Sequence, residues 1–317
     1  MPLTDDMLKD RFVGCLLGLA IGDALGGKFE AQSADAIRTR FPTTQALIEY
    51  PQEEIWYTDD AQMAIGVAET LVAHGQIVEE HLCAAFVANY VPSRGYGRGA
   101  RAVLEAMEDG RDYRAVAEHH FPGGSYGNGA AMRVAPVGLL FRDDRSRLWE
   151  QARLSALPTH LHALGIEGAQ LLAVAVGLAS HMERFDRNAY FAELLAACQA
   201  PDYRTKIEQA AAVRSAEELV ALGNRIEALH SAPTAIASFA LTPESFEETI
   251  SNVIFLGGDT DTLAAMAGAL SGAYLGVGRL PQRLVGLLES SPKGRDYLHD
   301  LGTKLFEVYQ RGPGLVP

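Results

Sequence analysis

The chain contains 317 residues with a formal net charge of −13, and this acidic excess makes it a poor candidate for binding nucleic acid duplexes through their phosphates. Its 48% hydrophobic and 21% charged residues are typical of a globular enzyme, built as one large domain or two closely packed ones. Cys15, Cys83 and Cys198 are widely spaced in apolar surroundings. An odd number without a pattern favours core thiols in a reducing cytoplasm over a disulfide framework.

An apolar run occupies residues 12–21. It has about ten residues, whereas a membrane-spanning helix needs about 20. The acidic residues Asp5, Asp6 and Asp10 also argue against a signal peptide. We therefore predict a buried helix here, and a second one at the apolar run 263–277, with no membrane association.

Glycine recurs every four residues in both apolar runs, and this spacing places the glycines of each run on one helix face. Glycine inside a helix costs about 1 kcal/mol relative to alanine, so we predict that a close helix-to-helix approach offsets this cost. Acidic residues lie at one end of each helix, Asp23 and Glu30 in the first and Asp259 and Asp261 in the second. The glycines are Gly14, Gly18, Gly22, Gly26, Gly268, Gly272 and Gly276.

Helical signals dominate the rest of the chain. Strong helix formers at helical spacing predict helices over 62–74, 79–90, 100–107, 166–182 and 263–275, and few stretches alternate as strands do. We therefore predict an all-α protein, with elements separated at glycine and proline positions such as Pro233. Residues 202–232 are the least informative and are expected to form charged surface helices.

The first acidic motif is Trp56-Tyr57-Thr58-Asp59-Asp60. One interpretation is a helix N-terminus, at which Thr58 caps and both carboxylates favour the positive helix end. The aromatic pair instead suggests a shield that an exposed cap would not need. In the alternative interpretation, the hydroxyl and the two carboxylates are metal ligands.

The second acidic motif spans residues 257–262, with the sequence Gly-Gly-Asp-Thr-Asp-Thr. Capping explains one acid here but not the glycine pair, two acids and two hydroxyls together. Clustered carboxylates repel one another strongly as they lose water, so burying both motifs in one place requires a cation. Oxygen ligands without nearby cysteine or histidine predict Mg²⁺ or Mn²⁺, and two motifs together could bridge two ions.

A glycine-rich loop spans residues 123–133. Such loops are usually flexible turns, but bare backbone amides can also cradle a phosphate. The loop runs into a helix-like segment, whose N-terminus would favour anions. It matches neither phosphate-binding fingerprint, because no Gly-Lys-Ser/Thr follows it and no strand precedes it. Tyr126 within the loop, and Phe121 just upstream, are candidates for stacking on a base.

Two further polar residues are candidates. His160 and His162 are two positions apart and do not share a helix face, so a metal pair is disfavoured. If His160 is functional, we expect it to donate a hydrogen bond to a phosphate or a ribose. Glu30 would ordinarily be a solvated surface residue, and it becomes an acid/base candidate only beside the acidic motifs.

These motifs, in this order, resemble those of the ADP-ribosylglycohydrolase family over nearly the whole chain. The branch that cleaves serine-linked ADP-ribose, poly(ADP-ribose) and O-acetyl-ADP-ribose is the most similar, through residues 94–97, 124–129, 159–160 with 164–165, and 232–236. The family motifs are Gly22-Asp23-Ala24-Leu25-Gly26 with Glu30, Thr58-Asp59-Asp60, Gly127-Asn128-Gly129 with Met132-Arg133, and Gly258-Asp259-Thr260-Asp261-Thr262.

The resemblance implies a single domain over 1–317, folded as a compact orthogonal bundle of a dozen or more helices around a central cleft that holds two Mg²⁺ (or Mn²⁺) ions. It implies three sets of site residues. The catalytic residues would be Glu30, Asp60 and Asp261; the substrate-binding residues would be Phe121, Gly124, Ser125, Tyr126, Gly127, Asn128 and His160; and the metal ligands would be Thr58, Asp59, Asp60, Asp259, Asp261 and Thr262.

The expected activity is hydrolysis of serine-linked ADP-ribose, on an ADP-ribosylated protein or an ADP-ribose-containing small molecule. Three alternatives stay open: a hydrolase of arginine- or other N-linked ADP-ribose, an inactive ADP-ribose binder or crystallin-like structural protein, and an unrelated metal-dependent phosphohydrolase. Keeping all six implied metal ligands argues against the inactive binder. Without heptads or an extended apolar surface pattern, we expect a monomer.

Overall fold

The computed structural model describes residues 3–312, and within this range the chain forms seventeen α-helices, three short 3-10 helices and only isolated β-bridges. The all-α prediction is confirmed. The first helices are α1 (Asp5–Gly26), α2 (Ala34–Arg40), α3 (Thr44–Glu49), α4 (Asp59–His74), α5 (Glu79–Asn89), α6 (Arg98–Glu108), α7 (Tyr113–His120), α8 (Ala135–Leu140) and α9 (Arg145–Ala156). The others are α10 (Ala163–His181), α11 (Arg187–Ala197), α12 (Pro201–Ala212), α13 (Ala228–Leu241), α14 (Phe246–Ile254), α15 (Thr260–Leu275), α16 (Gln282–Leu287) and α17 (Arg295–Arg311), with 3-10 turns at Pro92–Arg94, Ala216–Ala221 and Val277–Arg279.

Helices α1 and α15 form the centre of the molecule and pack backbone against backbone along their glycine faces. A Cβ atom added to Gly14 would lie 2.6 Å from the carbonyl carbon of Gly276, and one added to Gly268 would lie 2.9 Å from that of Gly18. Only hydrogen fits in these gaps. The predicted close approach is therefore confirmed, and the two helices run antiparallel.

The antiparallel contact decides which helix ends meet. The Thr260 hydroxyl in the first turn of α15 donates a 2.8 Å hydrogen bond to the carbonyl of Gly26 at the end of α1. The acidic residues that follow α1 and those that begin α15 are consequently held at the same end of the helix pair. This end carries the candidate site.

Helix α10 is the one helix within residues 3–312 that is long and apolar enough to cross a membrane by length and composition. It is mostly buried inside the fold, where it packs against α8, α9, α13 and α15. A buried core helix meets the same criterion of length and composition. Within α10, the buried Glu167 and Gln170 hydrogen-bond to neighbouring backbone groups.

Three sequence expectations need correction. Pro233 does not separate two elements, because it lies inside α13; burial of nearly the whole helix compensates the missing backbone hydrogen bond. Cys83 is not a core thiol but half-buried, because the inner face of α5 is formed by Leu82 and Phe86. Residues 202–232 are not only charged surface, since α12 buries Tyr203 and two smaller residues.

We predict that Gly22→Ala destabilises the protein. The new methyl group would overlap the carbonyl of Ala264 on α15, so the central helices would have to separate. Overpacking should outweigh the ~1 kcal/mol gained in helix propensity and lower the free energy of unfolding by about 2–3 kcal/mol. Urea unfolding followed by circular dichroism measures this difference.

Gly286→Ala is the matched control. Gly286 is an exposed glycine in α16 with no atom within 4 Å of an added Cβ, so its substitution should leave stability unchanged or slightly increased. Equal stability of Gly22→Ala and wild type would contradict the backbone contact.

Candidate functional site

A cleft of about 450 Å³ lies where the first turns of α4 and α15 meet the loop 123–129. Most of the predicted site residues line it, although they come from five separate parts of the chain. Residues with no predicted role, such as Arg133, Ile226 and Glu227, also reach it. The predicted residues in its walls are Glu30, Asp59, Asp60, Phe121, Ser125, Tyr126, Gly127, Asn128, His160, Asp259, Asp261 and Thr262.

Asp23 fixes the first acidic motif to helix α1. Its fully buried carboxylate accepts hydrogen bonds from the backbone N–H groups of Thr58 (2.9 Å) and Ala61 (2.9 Å) and from the Thr58 hydroxyl (2.7 Å). The N-terminus of α4 is thus capped by the Asp23 side chain of α1. The interpretation of Thr58 as its side-chain cap is wrong, because the Thr58 side chain bonds no N–H group of the first turn. The Thr58 Oγ1 also lies 3.3 Å from the Asp60 carboxylate.

The glycine pair of the second acidic motif positions Glu30. Gly257 and Gly258 both have positive φ, at 68° and 79°, and a Cβ on Gly257 would lie 2.5 Å from the carbonyl oxygen of Gln32. The N–H of Ala31, itself left-handed at φ 61°, donates to the Gly258 carbonyl at 2.8 Å. The turn that carries Glu30 is therefore attached directly to the motif that carries the aspartates.

The carboxylates of Glu30 and of the four aspartates of the two acidic motifs all line this part of the cleft. A ligand oxygen from each of Glu30, Asp259 and Asp261 lies within 4.8 Å of the others. The Asp261 charge raises the pKa of Glu30, with burial adding to the effect. Burial and the Asp261 charge raise the pKa of Asp59 to about 7 and that of Asp259 to about 8.

Asp60 is the most deeply buried member of the first acidic motif. Burial, followed by the charges of Asp23 and Asp261, raises its pKa well above the ordinary carboxyl range. Its Oδ1 atom is buried and has no hydrogen-bond partner among residues 3–312. An orphaned buried oxygen inside a group of mutually repelling acids fits a divalent cation, and the oxygen-only donor set fits Mg²⁺ or Mn²⁺.

An ion pair that the sequence analysis missed supports the first acidic motif from behind. The buried Glu289 accepts two hydrogen bonds from Arg94 and a third, at 3.2 Å, from the Tyr57 N–H. The Arg94 guanidinium also stacks over Tyr57, 4.1 Å from its ring centre. The predicted aromatic shield is only half correct, because Tyr57 is buried whereas Trp56 is 54% exposed.

The glycine-rich loop is tied to the second acidic motif. The Asn128 side chain donates a 2.6 Å hydrogen bond to the Asp259 carboxylate, and its backbone N–H donates to Ile226. The expectation that the loop runs into a helix N-terminus is wrong. Residues 129–133 form turns in which the N–H groups of Ala131 and Met132 donate to the Asn128 carbonyl, and α8 begins only at Ala135.

Two predicted site residues, Thr58 and Gly124, lie outside the cleft walls. Gly124 has φ 90°, and a side chain there would overlap the backbone at His162, so this glycine shapes the loop. Phe121 and Tyr126 are 40% and 54% exposed at the cleft. Exposed aromatic rings are suited to stacking on a planar ligand group.

His160 lies against the loop and is almost completely buried. Its Nδ1 atom is 2.8 Å from the Thr159 hydroxyl. Burial, aided by the positive charge of Arg133, lowers the pKa of His160 to about 3. The imidazole is therefore neutral near pH 7 and suited to hydrogen bonding.

Comparison with known proteins identifies the family of the chain. A sequence model described as ADP-ribosylglycohydrolase matches residues 4–314. Human ADP-ribosylhydrolase ARH3 is 34% identical over 95% of this chain and 94% of its own length, and an uncharacterized protein of Archaeoglobus fulgidus is 32% identical over 96% and 98%. A solved structure described as an ADP-ribosylglycohydrolase-related protein complex superposes with a TM-score of 0.74 at 27% identity, covering 96% of this chain and 99% of that one. The chain belongs to the ADP-ribosylglycohydrolase family.

Proposed function

We propose that this protein is a metal-dependent hydrolase that cleaves the O-glycosidic bond of serine-linked ADP-ribose and releases ADP-ribose. Poly(ADP-ribose) and O-acetyl-ADP-ribose are further candidate substrates. The observation that carries the proposal is the convergence of Glu30, Asp259 and Asp261 in the same cleft as two exposed aromatic rings and a glycine-rich loop. The similarity to ADP-ribosylhydrolase ARH3 supports the choice of substrate class.

The proposed cofactors are two Mg²⁺ (or Mn²⁺) ions. They would be held by carboxylates and hydroxyls from both acidic motifs, which supply oxygen donors only. When bound, such ions would hold the ribose hydroxyls and lower the pKa of a nearby water. The ligands would be Thr58, Asp59, Asp60, Asp259, Asp261 and Thr262.

The remaining steps belong to the protein's own side chains. Cleavage at the anomeric carbon passes through an oxocarbenium-like state and needs a proton moved to or from the reacting oxygens. Glu30 is suited to this role because it is more exposed than the aspartates and the Asp261 charge raises its pKa above the ordinary carboxyl value. Asp60 and Asp261 would contribute as ligands of the ions.

The loop side of the cleft would bind the rest of the substrate. Phe121 and Tyr126 would stack on the adenine, since their rings are exposed there. Ser125, Gly127 and His160 would donate to the diphosphate and ribose. Asn128 already donates to Asp259, so it would link nucleotide binding to the metal ligands.

The proposal predicts which linkage is cleaved. With Mg²⁺, ADP-ribose should be released from a serine-linked peptide and not from a matched arginine-linked peptide, and EDTA should abolish release. Chromatography of the released ADP-ribose measures both reactions.

Other outcomes of this assay would redirect the proposal. Release from the arginine peptide would keep the metal site but overturn the linkage. Binding of ADP-ribose without cleavage of either peptide would favour an inactive binder.

We predict that Glu30→Gln retains ADP-ribose binding but hydrolyses the preferred peptide about 10²–10⁴-fold more slowly, the usual contribution of a general acid or base. The amide keeps the size of the side chain but cannot exchange a proton at neutral pH. Single-turnover kinetics and isothermal titration calorimetry measure the two properties.

Glu307→Gln is the control for this substitution. Glu307 is exposed on α17 and does not line the cleft, so its substitution should leave hydrolysis unchanged. A wild-type rate for Glu30→Gln would remove Glu30 from the mechanism.

We predict that the metal-free protein loses stability as pH rises from about 4 to about 8. The pKa values of about 7 for Asp59 and about 8 for Asp259 lie above the unfolded value of about 3.9. The folded state therefore binds more protons than the unfolded state in this window, and stability falls with pH. Thermal unfolding midpoints in EDTA across the window measure the slope.

Added Mg²⁺ should raise the unfolding midpoint most at the alkaline end, where the carboxylates are ionised. Asp59→Asn should show a shallower pH slope in EDTA than wild type. Identical slopes for the two proteins would contradict the raised pKa of Asp59.

A further inference from the structure

Beneath the cleft lies a buried arginine that the proposed chemistry does not use. Arg133 is 1% exposed and forms no ion pair within residues 3–312. One Nη atom donates to the Ser155 carbonyl (2.8 Å) and to the Thr159 hydroxyl (2.9 Å), while the guanidinium lies over Phe86, 4.7 Å from its ring centre. A side chain with five donors and no acceptor forces every neighbour to accept.

This donation fixes the direction of the next hydrogen bond. The Thr159 oxygen accepts from Arg133, and among residues 3–312 its own hydrogen has one acceptor within reach, the Nδ1 atom of His160 at 2.8 Å. In the opposite direction, His160 would donate from Nδ1 and the hydroxyl hydrogen would be buried without an acceptor, which is costly. The hydrogen bonds from Arg133 to Thr159 and from Thr159 to His160 form a relay that points towards the cleft.

The consequence for His160 is a single tautomer. With Nδ1 accepting, the neutral ring carries its hydrogen on Nε2. The ring sits among three glycines: an added Cβ would lie 3.7 Å from Nε2 at Gly127, 3.4 Å from Nε2 at Gly129 and 3.4 Å from Cδ2 at Gly165. No protein acceptor within residues 3–312 bonds Nε2, so its N–H is available to a molecule in the cleft.

We propose that Arg133 and Thr159 are positioning residues that lock His160 as the Nε2–H tautomer, so that the cleft presents a fixed hydrogen-bond donor to a phosphate oxygen of its ligand. The identity of that ligand rests on the proposed function, whereas the tautomer does not. In this arrangement His160 binds and does not transfer protons. These hydrogen bonds therefore affect ligand affinity and not the chemical step.

The first test is the tautomer itself, in the free wild-type protein. Long-range ¹H–¹⁵N correlation spectra of ¹⁵N-histidine-labelled protein distinguish a protonated ring nitrogen from an unprotonated one, and His160→Gln assigns the signals by their loss. We expect an unprotonated Nδ1 and a protonated Nε2. A protonated Nδ1 would overturn the proposal without any variant.

The second test removes the hydroxyl. Thr159→Val keeps the shape of the side chain but leaves Nδ1 without its donor, so the spectrum should change to a mixture of tautomers. ADP-ribose affinity, measured by calorimetry, should fall about tenfold, as expected when a hydrogen bond to a charged group is weakened. Thr159→Ser keeps the hydroxyl and should restore both the wild-type spectrum and the affinity.

Thr70→Val is the matched control, because Thr70 is a buried threonine on α4 whose hydroxyl bonds only the Gly66 carbonyl of its own helix. It should change neither the His160 spectrum nor the affinity. An unchanged spectrum and affinity in Thr159→Val would overturn the relay. Failure of wild type to bind ADP-ribose would instead overturn the proposed function, while the spectra still decide the tautomer.

Discussion

The contact between the backbones of α1 and α15 is the constraint on which the rest of the structure depends. Each glycine in it forgoes helix propensity, and the gain is an interhelical distance that side chains would not allow. Because the helices are antiparallel, this distance is set at the end where Asp23, Glu30 and Asp261 lie. Helix α4 then joins through Asp23, which caps it. The acidic side of the cleft is therefore built from helix ends anchored to one rigid pair.

The same geometry brings several buried carboxylates close enough to repel one another. The charges that act on Asp60 come mainly from Asp23 and Asp261, so each additional buried carboxylate raises the cost of ionising the others. The neutral donors around the site, such as Asn128 on Asp259, relieve part of this cost. The Arg94–Glu289 pair contributes differently, since it holds the Tyr57 backbone rather than neutralising the acids.

Local pattern was sufficient to predict the helices α1, α4, α5, α6, α10 and α15 and the glycine faces of α1 and α15, because each depends on neighbours within a few residues. The errors arose where distant segments decide the outcome. Thr58 was interpreted as a cap because its partner, Asp23, is 35 positions away in the sequence. Pro233 was interpreted as a boundary because the sequence does not show that it is buried inside α13. Glu289 gave no signal beyond a single acid, and a search for acids inside apolar helices would not have found it, because it lies after the end of α16.

The α1–α15 pairing also has a consequence for synthesis of the chain. The bond between Thr260 and Gly26 joins residues 234 positions apart, so a ribosome adding 5–20 residues per second needs about 10–50 s between the two. During that time the apolar glycine face of α1 has no partner. The glycine face of α1 is therefore exposed in nascent chains until α15 has been synthesised, and the cleft can assemble only after that point.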